Sequence, residues 1–133
     1  MMLKIYHGGC HCGDIRYSVD LDLSRGTMRC NCTYCRKVRN WSAACAPEAL
    51  AITGEDKLSS YTLSGAVRHE FCPRCGVRLF SRGHVQELGG DFASVMVSTL
   101  DEGTEDELIA APVKWADGLH DNWRNSPLEV RYL

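Results

Sequence analysis

The chain has 133 residues, a length that fits one domain and lets roughly two-thirds of the unfolded chain's surface be buried without disulfide staples. It carries 17 acidic and 15 basic residues, for a formal charge of −2, and this balance argues against a nucleic-acid partner, because phosphate binding needs a clustered positive surface. No stretch approaches the roughly 20 apolar residues that cross a bilayer, so the sequence also argues against a membrane protein.

The amino-terminal residues indicate the compartment. From Met1 to Cys10 there is no apolar run of signal-peptide length and no small-residue cleavage site, so we expect a cytoplasmic protein. Eight cysteines are far more than an ordinary soluble chain of this length carries. In a reducing cytosol, close-spaced cysteines are more often metal ligands than disulfides.

Short segments with alternating apolar and polar side chains predict a mostly β fold. The alternation is clearest over residues 15–20 and 67–71. Pro47 suits the first position of a single helical turn, and 101–108 is predicted to be an acidic loop or a short turn. The sequence shows no linker or repeat, and we expect one antiparallel, mostly β domain over residues 1–133. Further strands are predicted at 3–6, 58–63, 77–81, 92–97 and 112–116.

Seven cysteines fall into three close-spaced groups along the chain. In an extended segment, residues i and i+2 share a face, so Cys10 and Cys12 can offer two thiolates to one ion. The group Cys72 to Gly76 is typical of a zinc knuckle, with a proline that fixes the turn and a glycine after the second ligand. Two such pairs make a closed tetrahedral site. We call this set the four-cysteine cluster: Cys10, Cys12, Cys72 and Cys75.

The remaining close-spaced group, Cys30, Cys32 and Cys35, is called here the cysteine trio. It supplies only three ligands, and catalytic zinc sites, unlike structural ones, keep a position for water or substrate. The trio therefore indicates a zinc site that can take a substrate. Other pairings stay open at this point, as does a second structural site closed by Cys45 or a histidine. Cys45 lies in the small apolar segment 41–46, which favours a place in the core.

Residues that flank the cysteine groups are predicted to have supporting roles. The basic run from Arg36 to Arg39 is interpreted as a solvated or charge-balancing face rather than a clamp for an anionic substrate. Trp115 and Trp123 are interpreted as core or lid aromatics. His11 and His69 are interpreted as packing groups or as neighbours of the ligands. His84 is predicted to lie in a loop that could reach a site.

The ordered set Gly-x-Cys-x-Cys-Gly, Cys-x-Cys-x-x-Cys and Cys-x-x-Cys-Gly, at 8–13, 30–35 and 72–76, resembles the glutathione-dependent formaldehyde-activating enzyme family. That family also contains a centromere-protein branch. The resemblance extends from about His7 to Gly118, and three groups in this order are far more specific than a single Cys-x-x-Cys.

The resemblance implies a β-tent fold of antiparallel sheets with two zinc ions per chain. By motif, the four-cysteine cluster matches the family's structural zinc ligands and the trio matches its catalytic zinc ligands. The implied reaction joins glutathione and formaldehyde to give S-(hydroxymethyl)glutathione, formally a carbon–sulfur lyase reaction run in reverse. No catalytic residue beyond the zinc ligands is assigned.

Two hypotheses follow from these observations. The first is a zinc enzyme that acts on a thiol–aldehyde adduct, with glutathione and formaldehyde as its small-molecule partners. The second is a noncatalytic, zinc-stabilised binding module, as the centromere branch suggests. Architecture does not separate them, because function lies in the site and not in the fold.

Overall fold

The computed structural model describes residues 2–133, so Met1, at which the predicted domain begins, lies outside the described residues. Ten short strands form two sheets. The strands are β1 (Lys4–Gly9), β2 (Arg16–Leu21), β3 (Thr27–Cys30), β4 (Ser42–Cys45), β5 (Leu50–Thr53), β6 (Ser59–Tyr61), β7 (Val67–Phe71), β8 (Arg78–Val85), β9 (Gly90–Met96) and β10 (Val113–Ala116). The helices are α1 (Thr33–Val38) and α2 (Glu105–Ala110).

The smaller sheet has three antiparallel strands in the order β1-β2-β5. The larger sheet has seven strands in the order β10-β3-β4-β9-β8-β7-β6. Its neighbours are antiparallel except for β10 and β3, which run parallel with Val113 opposite Thr27. The expectation of a small, mostly β fold of antiparallel sheets is confirmed, with this one parallel pair in addition.

The hydrophobic core joins the two sheets. On β2 the pleat sends Tyr17, Val19 and Leu21 into the core, while the residues between them stay accessible. The Tyr17 ring meets the ring of Phe80 from β8 edge to face, with centroids 5.1 Å apart. Its hydroxyl shares a hydrogen bond of 2.7 Å with Thr99. Each fully buried aliphatic or aromatic side chain of this kind contributes about 1.5–3 kcal/mol, so this shared core holds the two sheets together.

Each of the seven predicted strand segments overlaps an observed strand, and β7 has the predicted bounds. Pro47 opens a single 3-10 turn, as predicted. The predicted acidic loop at 101–108 is corrected, because α2 occupies Glu105–Ala110, with three acidic residues in its first turn that favour a helix amino terminus. Helix α1 was not predicted. Among residues 2–133, no helix is both long and apolar enough to cross a bilayer.

Candidate metal centres

The four-cysteine cluster lies where two hairpin turns meet. Cys10 begins the turn between β1 and β2, and its amide donates to the Ile15 carbonyl at 3.0 Å. Cys72 begins the turn between β7 and β8, and its amide donates to the Val77 carbonyl at 3.0 Å. Since β1 and β2 belong to the smaller sheet and β7 and β8 to the larger one, the cluster connects the two sheets.

The sulfur spacing in this cluster fits a tetrahedral metal ion. All four sulfur atoms lie within 4.8 Å of one another, and the Cys12 sulfur is 3.6 Å from the sulfurs of both Cys10 and Cys72. Four sulfurs held about 2.3 Å from one zinc ion would be about 3.8 Å apart, whereas a disulfide needs about 2.05 Å. All eight cysteines are free thiols. The cluster can therefore hold a metal ion with little rearrangement.

The cysteine trio is positioned by one strand end and one helix start. Cys30 is the last residue of β3, and Cys32 caps the amino terminus of α1 through its sulfur, which accepts from the Cys35 amide at 3.3 Å. The Cys32 amide in turn donates to the Cys30 sulfur at 3.3 Å. The three sulfurs lie within 4.8 Å of one another. Within residues 2–133, no fourth His, Cys, Asp or Glu side chain joins them.

Hydrogen bonding favours negative charge on the middle ligand of the trio. The Cys30 and Cys35 thiols and two backbone amides of α1 hold the pKa of Cys32 far below its usual value. Hydrogen bonds with the Cys30 and Cys32 sulfurs, together with burial, raise the pKa of Cys35. A set of thiols that already stabilises a thiolate at its centre is suited to a metal cation, because metals bind the thiolate form.

Asn31, between the first two ligands, ties the trio to the carboxyl-terminal segment. Its side chain is buried and hydrogen-bonded through both its nitrogen and its oxygen, since it donates to Asp117 Oδ1 at 2.7 Å and accepts from the Leu119 amide at 3.0 Å. Its backbone amide donates to the Ala116 carbonyl at 3.2 Å. Neither Asn31 nor Asp117 was among the predicted site residues, because the sequence marks this pair only by a polar residue between two ligands.

The segment after β10 also places an aromatic ring beside the trio. A Cβ atom on Gly118 would lie 2.5 Å from Trp123 Cζ3 and 2.9 Å from the Cys30 sulfur, so the glycine is closely flanked by both groups. The Trp123 side chain remains about half exposed, with its indole nitrogen bonded to Asp121. Trp123 is thus at the edge of the trio, where a lid residue would be, while Trp115 is half-buried on β10.

We expect Gly118→Ala to weaken metal binding at the trio by about tenfold, or about 1.4 kcal/mol. The added methyl group would displace the Cys30 sulfur, because a contact below 3.0 Å cannot be accommodated in place. Competition with a chromophoric chelator would measure the affinity of each metal equivalent. The matched control is Gly118→Ala combined with Trp123→Ala, which removes the ring contact and leaves the sulfur contact. Parental affinity in the single variant would show that Gly118 does not constrain Cys30.

Cys45 lies apart from both clusters. It is the last residue of β4, pairs with Ala93 of β9, and packs partly buried against the core. Burial, with a smaller effect of Glu48, raises the pKa of its thiol to about 11. The thiol is therefore kept protonated and apolar in character, in agreement with the predicted place in the core.

We expect Cys45→Ser to retain both metal equivalents and to cost about 1 kcal/mol of unfolding free energy, the lower end for burying a hydroxyl. Metal analysis of the purified variant and thermal melting would measure the two effects. Loss of one metal equivalent would show that Cys45 completes the trio.

The flanking basic residues and histidines have partners of their own. Arg39 donates to the Tyr132 carbonyl at 3.0 Å, and the Arg36 guanidinium lies 5.6 Å from the Tyr132 ring centroid. His69 stacks on the Tyr34 ring, with centroids 4.1 Å apart. The two other histidines that were singled out from the sequence do not join a cluster: His11 is exposed in its turn, and His84 is exposed and bonded to Asp91.

A solved structure and a family model are similar to the chain. A crystal structure of a Rhodobacter sphaeroides protein superposes on the chain with a TM-score of 0.68 at 24% sequence identity, covering 81% of this chain and 99% of that one. At this identity the likeness shows a shared fold. The sequence profile of the family described as glutathione-dependent formaldehyde-activating enzyme matches residues 5–116, which include all seven clustered cysteines. The chain therefore belongs to the glutathione-dependent formaldehyde-activating enzyme family.

Proposed function

We propose that the chain is a zinc-dependent enzyme of the carbon–sulfur lyase type, which forms or cleaves a thiol–aldehyde adduct. Its default substrates are glutathione and formaldehyde, as in the reaction for which its family is named. The observation that carries this proposal is the cysteine trio, in which three thiols meet without a fourth ligand-type side chain in the described part of the chain.

The two clusters are assigned different roles in this proposal. The four-cysteine cluster would hold a structural zinc ion, because its ligand set is complete and its spacing tetrahedral. The trio would hold the catalytic zinc ion. When bound there, zinc supplies Lewis acidity and favours the thiolate form of a thiol ligand near neutral pH.

The protein's own residues would mainly position the reactants. Asn31 fixes the trio against residues 116–119, and Trp123 flanks the approach to Cys30. In the reaction, the thiol sulfur forms a bond to the aldehyde carbon, the carbonyl π bond breaks, and the thiol proton ends on the aldehyde oxygen. Holding both reactants together contributes to the rate without a further chemical group.

The proposal also covers the extent of the domain, its location in the cell and its partners. We propose a single domain over residues 1–133 and a cytoplasmic location, where glutathione supplies the thiol. We propose no nucleic-acid partner, in line with the formal charge of −2. We propose no membrane partner, in line with the lack of a long apolar helix among residues 2–133.

The test is to count zinc in protein purified without chelator and to titrate it with glutathione while X-ray absorption follows the zinc–sulfur coordination. Two zinc ions per chain are expected, with the average sulfur number rising from about 3.5 to about 4 on glutathione binding. Two ions with an unchanged sulfur number would favour the noncatalytic binding module. One ion or none, or iron with inorganic sulfide, would contradict the zinc assignment.

A further inference from the structure

Arg78, the first residue of β8, places its guanidinium in the interior among neutral groups. One terminal nitrogen donates to Asn40 Oδ1 at 2.8 Å and contacts the Met96 sulfur at 3.3 Å. The other lies 3.3 Å from His69 Nδ1 and donates to the Ser81 hydroxyl. The Nε atom is fully buried and has no hydrogen-bond partner.

This arginine has no carboxylate partner among residues 2–133, unlike its neighbour on the same strand. Arg82 is paired with both Glu70 and Glu55. A charge removed from water is expensive to hold unless an opposite charge lies close by. Something other than a carboxylate must therefore compensate Arg78.

Tyr34 links Arg78 to the trio, because it lies between the ligands Cys32 and Cys35 at the start of α1. The guanidinium carbon lies 5.3 Å from the ring centroid of Tyr34, which precedes Cys35 in α1. Burial lowers the pKa of Arg78, and charge on Tyr34 and on the Cys35 and Cys32 sulfurs acts in the opposite direction. Strand β7 also packs around the guanidinium and places His69 there. Burial of the His69 ring and the charge of Arg78 both lower the pKa of His69, which keeps this histidine neutral.

We propose that Arg78 is the buried counter-charge of the cysteine trio, a positioning residue that raises the trio's affinity for a metal ion and for an anionic thiol ligand. The inference rests on the proposed function only in taking the trio as a metal site. Three thiolates and one divalent ion carry a net charge of −1, which the guanidinium neutralises. An incoming thiolate then meets a neutral site instead of an anionic one.

The competing explanation is that Arg78 only organises structure through Asn40, Ser81 and Met96. Arg78→Met tests this, because it keeps much of the side chain's length and removes the charge. Arg78→Lys restores the charge without the planar hydrogen-bonding group. Arg68→Met is the matched control, because Arg68 is exposed on the adjacent strand β7, on the face opposite His69.

The first readout is the affinity of each zinc equivalent, measured by chelator competition at fixed pH. Arg78→Met is expected to weaken the second equivalent by about tenfold or more and to leave the first unchanged. Arg78→Lys is expected to recover most of the loss, and Arg68→Met to match the parent. If Arg78→Met lowers Tm but keeps both affinities, Arg78 is structural and the proposal is overturned. Arg78→Gln replaces the methionine variant if the latter does not fold.

A second readout separates this proposal from the proposed function. Protein loaded with one zinc equivalent is treated in parallel with anionic iodoacetate and neutral iodoacetamide, and mass spectrometry follows alkylation of the trio. A positive charge beside the trio attracts the anionic reagent, so the ratio of the iodoacetate rate to the iodoacetamide rate is expected to be several-fold lower in Arg78→Met than in the parent and nearly parental in Arg78→Lys. If the parent binds a single zinc ion, the zinc-enzyme proposal fails while this ratio still tests Arg78. Equal rate ratios in the parent and Arg78→Met would overturn the counter-charge.

Discussion

Cys75→Ser is expected to abolish cooperative folding, because it opens the metal site that connects the two sheets. Serine is not a ligand that structural zinc sites use, so three thiolates would remain. Structural zinc contributes apparent free energies of about 10–16 kcal/mol in small domains, whereas a whole domain is stable by about 5–15 kcal/mol. Losing most of that contribution leaves too little to keep the chain folded.

The position of the four-cysteine cluster explains why losing its metal ion would unfold the whole domain. Cys12 and Cys72 are 60 residues apart in sequence, so an ion between them closes a long loop and restricts the unfolded chain. A further contact between these turns is the surface ion pair of Arg74 with Asp14, which contributes little. Two of the ligands that remain, Cys10 and Cys72, are buried. Thiolates left there without a metal ion would lower the free energy of unfolding further.

Circular dichroism, thermal melting and metal analysis of Cys75→Ser would measure this effect. Cys45→Ser is the matched control, since it makes the same chemical change outside both clusters. A cooperative transition near the parental Tm, with both metal equivalents retained, would show that the four-cysteine cluster is not the structural site.

The strands that could be predicted from sequence are those with a strict two-residue alternation or a long apolar run. β2 and β7 alternate because one face is buried, and β9 is apolar because it lies inside the larger sheet between β4 and β8. Strands β3 and β4 were missed because burial does not alternate along them, and β5 was missed because three of its four residues are apolar, so that its sequence shows no alternation.

Helix α1 was missed for a different reason. Its amino-terminal cap is a cysteine sulfur, and cysteine is not among the residues that mark helix starts in a sequence. The helix ends in Arg39, a non-glycine residue with a φ of 55°, where sequence patterns expect glycine or asparagine. Cysteine ligands that cap and close this turn replace the usual capping signals.

The grouping of the seven cysteines was predictable because ligand spacing is a local property. The side chains around the trio were not, since each arrives from a distant part of the chain. Asp117 lies 86 residues from Asn31, and Arg78 lies 38 residues from Asn40. Such contacts depend on the parallel pairing of β10 with β3 and on the order of strands in the larger sheet, which no local pattern encodes.

Cys32→Ser is expected to leave the protein folded with one zinc ion and to abolish thiol binding. The trio spans only residues 30–35, so its ion closes a short loop and constrains the unfolded chain much less than the ion of the four-cysteine cluster. The segment is also held by other contacts, above all those of Asn31 with Asp117 and Leu119. The local cost is small, because serine is itself a favoured helix amino-terminal cap and its hydroxyl can accept from the Cys35 amide in place of the sulfur.

The effect on function should be complete, because only two thiol ligands would remain at the trio. Zinc content, thermal melting, glutathione affinity and the rate of adduct formation above the uncatalysed reaction are measured side by side on Cys32→Ser, Cys75→Ser and the parent. We expect Cys32→Ser to melt cooperatively within a few degrees of the parent while losing glutathione binding and any rate enhancement. If it unfolds as readily as Cys75→Ser, or binds glutathione as the parent does, the trio is not the substrate site. The noncatalytic binding module would then replace the enzyme.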